Sequence, residues 1–478
     1  MGTATPYYLM LGFTLAAYFI ASKFVFDKVH HTTRTVIDEL FHIPQGLSYC
    51  RRNFMHWDPK ITTLPGLYLV SAAFLGTYFP CTTYNLRFIN LLASCVNLLL
   101  FASILKFVYT SKQSKIVIQA LNLTLLPPLY FFSHVYYTDT LSLTFLLAFS
   151  RLCLTNRHGF LMLVFGVFSV LMRQTNIVWI AMVFGHKFLD LFIRSSRVFG
   201  NQYVTNIRLS KKSLIANDVD TSKLKRYYDI MDVFYAIKYH VSTCFKSFFR
   251  YLNTQDILTL SIHSVLLLFF VAFVYYNGSI VLGDKKAHEA SIHVPQLLYF
   301  LIFYAIFGMP YVILKLKSTL ILIFSNKFKV ILLVLLMLAI VHYNTIIHPY
   351  LLADNRHFTF YIWNRWYGKY EYAKYVTIPL YIFLTFNLYD NLKDQNCISF
   401  LLPYTVAIFL AVALQRMIEV RYFLIPFIIL RLRFSRPSSL MILIEFCWYL
   451  LLNVLAFQVF FTREVIWKDF DEVQRIIW

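Results

Sequence analysis

Two adjacent carboxylates, Asp38 and Glu39, stand near the head of a polar stretch, IDELFHIPQGLSYCRRNFMHWDPKITTLPGLY (residues 37–68), that directly follows the first apolar run of the chain. His42 comes next, then Trp57-Asp58-Pro59-Lys60. A carboxylate in hydrogen-bond reach of a hydroxyl can take its proton as a general base. Trp57 offers a flat face on which a sugar ring could stack, or an anchor at a membrane interface. Between lipid-soluble segments such a stretch is costly unless it meets water or a substrate.

Other polar groups interrupt the apolar chain. They are Tyr136-Tyr137-Thr138-Asp139, then Arg173-Gln174-Thr175-Asn176, then Asp284 to Gln296 with His288, Glu289 and His293. Further on come His348, then Asp354-Asn355-Arg356-His357 with Trp363 and Arg365, and finally Glu419-Val420-Arg421-Tyr422. Each alone reads as a solvated loop. Together they place Arg and Asp at the edges of apolar helices, where burial near mid-bilayer costs roughly 2.5–3.5 kcal/mol. His348, Asp354 and His357 could compete as metal ligands, but they lack the tight pair spacing of a zinc site such as HExxH. P-loop and GxGxxG motifs are missing from the sequence. The expectation is an enzyme without metal or cofactor, fed by a lipid-linked rather than a nucleotide-linked donor.

The elements that must position these groups are membrane helices. Of 478 residues 59% are hydrophobic and 14% charged, against about 45–50% and about 25% in soluble chains. The net charge of +21 fits basic cytosolic loops, and no zinc-finger or RNA-recognition pattern supports nucleic acid as a partner. Apolar runs at the length of a span predict an all-α polytopic bundle of about 12–14 transmembrane helices in a single domain, residues 1–478. Residues 64–79 open with Pro65-Gly66 and read as a helix that covers the loop without spanning. With the amino terminus in the cytosol, the positive-inside rule then puts residues 27–85 in the first lumenal loop. A basic insertion, residues 194–256, falls in the cytosol, its later part (227–251) reading as an amphipathic surface helix. The acidic clusters all fall on the lumenal side. Seven cysteines form no CxxC pair. Cys50 and Cys81 could pair in an oxidising lumen or stay as free thiols. The sequon Asn277-Gly278-Ser279 is lumenal but close to the bilayer.

The blocks IDELFHIPQGLSYC, WDPKITTLPGLYLVS, RFINLL, LYFFSHVYYTDTLSL, MRQTNIVW, GDKKAHEASIHVPQLLYF, HPYLLADNRHFTFYIW and RYFLIPFIILRL run in order over nearly the whole chain. In these blocks the sequence resembles the dolichyl-phosphate-glucose-dependent α-1,2-glucosyltransferases of the endoplasmic reticulum membrane. The resemblance implies a GT-C architecture with a lumenal active site and lumenal loop helices over it. It implies an inverting transfer from dolichyl phosphate glucose to a dolichyl-diphosphate-linked oligosaccharide. It places the general base at Asp38, with Glu39 as runner-up. Basic groups would then steady the departing phosphate: His348, Arg356 and His357 foremost, with Arg365, Arg421 and Arg173 as further candidates. His42, Trp57, Asp58, Asp139, Arg173, Gln174, His293 and Trp363 remain as candidates for substrate contact. A sibling enzyme moving mannose or an earlier glucose, or a transporter, would share many of these features.

Overall fold

The computed structural model describes residues 4–109, 113–156, 158–200, 229–285, 291–347, 352, 354–393, 396–434, 437–467 and 473–478. The chain starts with a long apolar helix, α1 (Ala4–Thr32), and drops into the polar loop, which carries α2 (Glu39–Cys50) and α3 (Gly66–Phe74). Nine residues rise about 13 Å, well short of a hydrocarbon core of about 30 Å. Helix α3 is therefore too short to span by itself. Its face of Leu67, Tyr68 and Ser71 is buried.

The first bundle follows: α4 (Thr83–Val108), α5 (Gln113–Thr124), α6 (Pro127–Phe132), α7 (Thr138–Thr155), α8 (Gly159–Met172) and α9 (Asn176–Phe199). Helix α4 packs on α1, α5 and α7, and α7 packs on α8. Pro127 and Pro128 lack an amide hydrogen, so the apolar run breaks, with α5 ending at Thr124 and α6 starting at Pro127. Residues 201–228 of the basic insertion lie outside the described residues. Its end forms two helices rather than one, α10 (Ile230–Ser242) and α11 (Lys246–Tyr251). The break falls where Cys244 and Phe245 take positive φ, which no helix interior tolerates.

Helix α12 (Thr254–Asn277) leads to α13 (Pro295–Phe307), α14 (Met309–Leu314), α15 (Leu316–Ser325) and α16 (Lys327–Asn344). Next come α17 (Phe358–Ile362), α18 (Ala373–Val376), α19 (Ile378–Leu392), α20 (Ile398–Ile408), α21 (Leu424–Arg431) and α22 (Ser439–Thr462). A two-residue antiparallel pair, β1 (Glu464–Val465) with β2 (Gln474–Arg475), ends the described chain. Among the described residues, six helices are long and apolar enough to cross a membrane, and four more apolar helices are shorter. The protein is an all-α multi-pass membrane protein. The expected 12–14 continuous spans are interrupted by prolines, by Gly308 and by wide turns at Trp363–Tyr367 and Phe409–Ala413.

The bundle interior holds a complete ion pair. Arg431 on α21 meets both oxygens of Glu445 on α22 at 2.6 Å, and Asn122 of α5 and Tyr311 of α14 also donate to that carboxylate, at 2.9 and 3.1 Å. In an apolar surround such a pair holds only when every partner is satisfied, so it fixes four helices against one another.

The polar loop is tied down on its own side. Cys50 and Cys81 are joined as a disulfide, with Cα atoms 6.1 Å apart. Gly76 beside it has a φ of +81°, and a Cβ there would meet the Cys50 carbonyl oxygen at 2.4 Å. A second loop docks on the first. The amide hydrogens of Leu282, Gly283 and Asp284 donate to the carbonyls of Thr62, Ile61 and Pro59 at 3.1–3.2 Å. Only glycine fits at 283, where a Cβ would fall 2.1 Å from the Pro59 carbonyl oxygen. The Asn277 side-chain amide donates to the Ser279 and Val281 carbonyls in the turn that precedes this contact.

Candidate active site

Asp38 is presented by a sharp bend. Ile37, a β-branched residue, has a φ of +39°, a conformation that costs of order 1–3 kcal/mol. Neighbours hold it there. The Asp38 amide donates to the Tyr137 hydroxyl at 2.9 Å, that hydroxyl donates to the Val36 carbonyl at 3.0 Å, and the Glu39 amide donates to Val36 at 2.8 Å. Helix α2 starts at the next residue, so the two carboxylates point into different surroundings.

Glu39 is sealed. It accepts from Arg87 Nε at 2.8 Å and from Arg87 Nη2 at 2.5 Å. It also accepts from the amides of Val36 (2.9 Å) and Tyr136 (2.6 Å). Both side chains are 0% exposed. The pair bolts the loop to α4 and to the chain between α6 and α7. Cutting it leaves a charge buried without a partner, so Arg87→Leu should lower stability by about 3–5 kcal/mol. Thermal unfolding in detergent would show this, and an unchanged midpoint would refute it.

Asp38 is open. Its side chain keeps 36% of its surface exposed, and Oδ2 accepts from Arg421 Nη2 at 3.0 Å. Arg421 lies in a helical turn, Val420–Phe423, that leads into α21. It also pairs with Glu419 at 2.6 Å, stands 3.8 Å from Asp139 Oδ2, and stacks its guanidinium 5.2 Å from the Tyr137 ring centre. Asp139, on the first turn of α7, gives its other oxygen to Arg173, at the α8–α9 break. Polar breaks at the ends of four helices thus meet beside Asp38. A cleft next to them is lined by the polar side chains of Arg173, Arg421, Gln415 and Tyr422 and by the apolar ones of Trp179, Ala411 and Ile425.

Burial by itself would raise the Asp38 carboxyl. The Arg421 guanidinium, with His42 and His357 behind it, outweighs that and holds the pKa below the usual carboxylate value. His42 is pushed the other way. Burial lowers its imidazole despite the nearby Asp38 charge, and Nδ1 lies 2.6 Å from the Tyr68 hydroxyl.

The remaining candidates divide. Asp139, Arg173 and Arg421 join Asp38 directly. Gln174 donates to the Thr62 carbonyl at 2.8 Å and holds the loop. Trp57 packs edge-on against Tyr49 and Tyr68 within the loop. Asp58 is occupied by local bonds, its amide donating to Gln45 at 3.0 Å and its carboxylate accepting from Lys60 at 2.9 Å. His293 is fully buried, with a pKa lowered by burial to about 4, and its amide donates to the Ala413 carbonyl at 2.7 Å. Trp363 is packed against Tyr367. Arg365 is exposed over Tyr361. Arg356 is claimed by Asp354 through Nε and Nη2, both at 2.9 Å, by Gln474 at 3.2 Å and by the Trp467 ring. His357 stays 22% exposed, with Nε2 3.8 Å from Asp354 Oδ2. His348 lies outside the described residues. Among the described residues, no group of three or more His, Cys, Asp or Glu is placed to hold a metal ion.

The sequence profile of the DIE2/ALG10 family matches residues 32–432, a range that takes in Asp38, Asp139, Arg173 and Arg421. The chain belongs to the DIE2/ALG10 family. It is 42% identical to a Drosophila melanogaster protein over 95% of its own length and 96% of that protein. It is 33% identical to a Rattus norvegicus protein and 32% identical to a Homo sapiens protein, in both cases over 97% of this chain and 98% of the relative. All three carry the name Dol-P-Glc:Glc(2)Man(9)GlcNAc(2)-PP-Dol alpha-1,2-glucosyltransferase. No solved structure matches the chain. The resemblance read in the sequence blocks is thus one of family membership. Arg87 and Glu419 were not among the residues singled out for the site. The signal for Arg87 was present, since an arginine sits in the second turn of an otherwise apolar span.

Proposed function

We propose that this family member transfers glucose from dolichyl phosphate glucose to the outermost glucose of a glucosylated, dolichyl-diphosphate-linked oligosaccharide, forming an α-1,2 bond on the lumenal face of the endoplasmic reticulum membrane. The observation that carries the reading is the open carboxylate of Asp38, gripped by Arg421 beside a cleft lined by two arginines and by apolar side chains. In the reaction the acceptor 2-hydroxyl oxygen bonds to the donor C1 as its proton passes to Asp38. The C1–O bond to phosphate breaks, and its electron pair leaves with dolichyl phosphate. Attack from the face opposite the phosphate turns a β-glucosyl phosphate into an α-glucoside.

Each group has a task suited to its surroundings. Asp38 is the base because it alone of the two carboxylates has an open oxygen. Glu39 positions it by locking α2 to α4. Arg421 and Arg173 face the cleft, where fixed cations can meet the charge growing on a departing phosphate. Trp179, Ala411 and Ile425 suit the first isoprene units of the lipid. Arg421 and Arg173 are paired with carboxylates, as Arg356 is, but they line the cleft, so the phosphate role shifts to them from Arg356, among the foremost in the sequence reading. The Cys50–Cys81 disulfide supports a lumenal placement, since such bonds persist in oxidising compartments.

The test is a purified assay with the diglucosylated acceptor and both dolichyl phosphate glucose and dolichyl phosphate mannose on offer. Glucose alone should be transferred. Transfer of mannose at a comparable rate would overturn the donor assignment.

A further inference from the structure

We propose that Tyr137 is the positioning residue for the base: its hydroxyl sets the bend that presents Asp38, and its ring steadies Arg421 beside it. This deepens the reading above and rests on Asp38 as the group that takes the acceptor proton.

Asp38 stands at the N-cap of α2. An aspartate in that place ordinarily turns its carboxylate back to accept from amides in the first turn of the helix. Asp38 makes no such bond. Backbone carbonyls serve the first turn instead. The amides of Glu39 and Leu40 donate to the carbonyls of Val36 and Ile37 at 2.8 and 3.2 Å, and those of Phe41 and His42 both donate to the Asp38 carbonyl at 3.0 Å. The carboxylate is thereby released to meet Arg421, and its direction depends on the backbone that carries it. Tyr137 fixes that backbone from 99 residues away. Its hydroxyl accepts from the Asp38 amide and donates to the Val36 carbonyl, so it brackets the positive-φ residue Ile37 from both sides.

Tyr137 is itself anchored. It is 1% exposed. The Asn90 side-chain amide on α4 donates to the Val135 and Tyr137 carbonyls at 2.7 and 2.8 Å. The neighbouring Tyr136 amide is held by Glu39. The Tyr137 ring packs 5.3 Å from that of Phe132, and the Arg421 guanidinium lies 5.2 Å from the first ring centre and 5.7 Å from the second. One anchored side chain thus meets the backbone of the base and the face of the cation paired with it.

Tyr137→Phe removes the hydroxyl and keeps the ring. It should lower kcat about 10²-fold, the scale of a misplacement of about 1 Å. The KM for dolichyl phosphate glucose should not change, because Arg421 keeps Glu419, Asp139 and the ring. Two backgrounds separate this from lost packing. With Asp38→Asn present, Tyr137→Phe should add nothing, because no base is left to misplace. With Ile37→Gly present, it should cost less than in the unaltered chain, because glycine takes a positive φ without steric penalty and the bend no longer needs the hydroxyl. That second background also relieves the bend if Tyr137→Phe alone folds poorly. An equal loss in either background, or a raised donor KM with kcat kept, would overturn the proposal and leave Tyr137 as packing, with Asp38 still the base. Turnover that survives Asp38→Asn alone would overturn the base assignment, and this inference with it.

Discussion

Asp38→Asn should reduce glucosyl transfer by about 10²–10⁴-fold, the usual contribution of a positioned general base, while the protein still folds. The amide has the shape of the carboxylate and can still accept from Arg421, which Glu419 also holds at 2.6 Å. The bend at Ile37 depends on the Asp38 backbone amide and not on its side chain, so it survives. What disappears is the capacity to take a proton. Initial rates with saturating donor and acceptor, together with a thermal midpoint, make the measurement. Turnover within a few-fold of the unaltered protein would sink the assignment. Glu39→Gln supplies the contrast. It disturbs a sealed pair with Arg87 and should appear first as lost stability, not as a folded but inactive enzyme.

Arg421→Gln carries the second large effect, on both rate and pH dependence. Removing a fixed donor to developing charge typically costs about 10²–10³-fold in turnover. The pH effect follows from the balance at Asp38. Burial pushes that carboxyl up, and Arg421 is the first of the charges that hold it down. A base acts only while deprotonated, so activity is retained above the Asp38 pKa and lost as pH falls through it. Without Arg421 burial is no longer outweighed in the same measure, and the pKa rises. The acidic limb of the residual kcat/KM profile should therefore move to higher pH. A lower rate with an unmoved acidic limb would show that Arg421 serves the phosphate without tuning the base.

Much of this site was legible residue by residue. An acidic pair after the first span, and Arg or Asp at helix edges, are conspicuous because the bilayer makes them expensive. The Pro65-Gly66 start set α3 apart from the full spans. Other features could not be read from the chain alone. Asp38 and Glu39 are neighbours of the same charge, and no local rule separates them. The separation comes from Arg87, 48 residues beyond Glu39, and from Arg421, 383 residues beyond Asp38. Arg356 stood as a phosphate candidate with Asp354 two residues before it, and its further partners, Gln474 and Trp467, lie more than a hundred residues away. Cys50 and Cys81 were left open for the same reason, since pairing depends on distance in space.

The sequence by itself determined that this is a helical membrane protein of the DIE2/ALG10 family, with an acid-bearing loop after its first span. Hydropathy and ordered motif blocks are properties of neighbours along the chain, and they survive without coordinates. The tertiary structure decided which carboxylate is open and which is sealed, and which arginines remain to face a cleft. Those are questions of what surrounds a charge, and a buried charge is defined by partners that folding brings from distant parts of the chain.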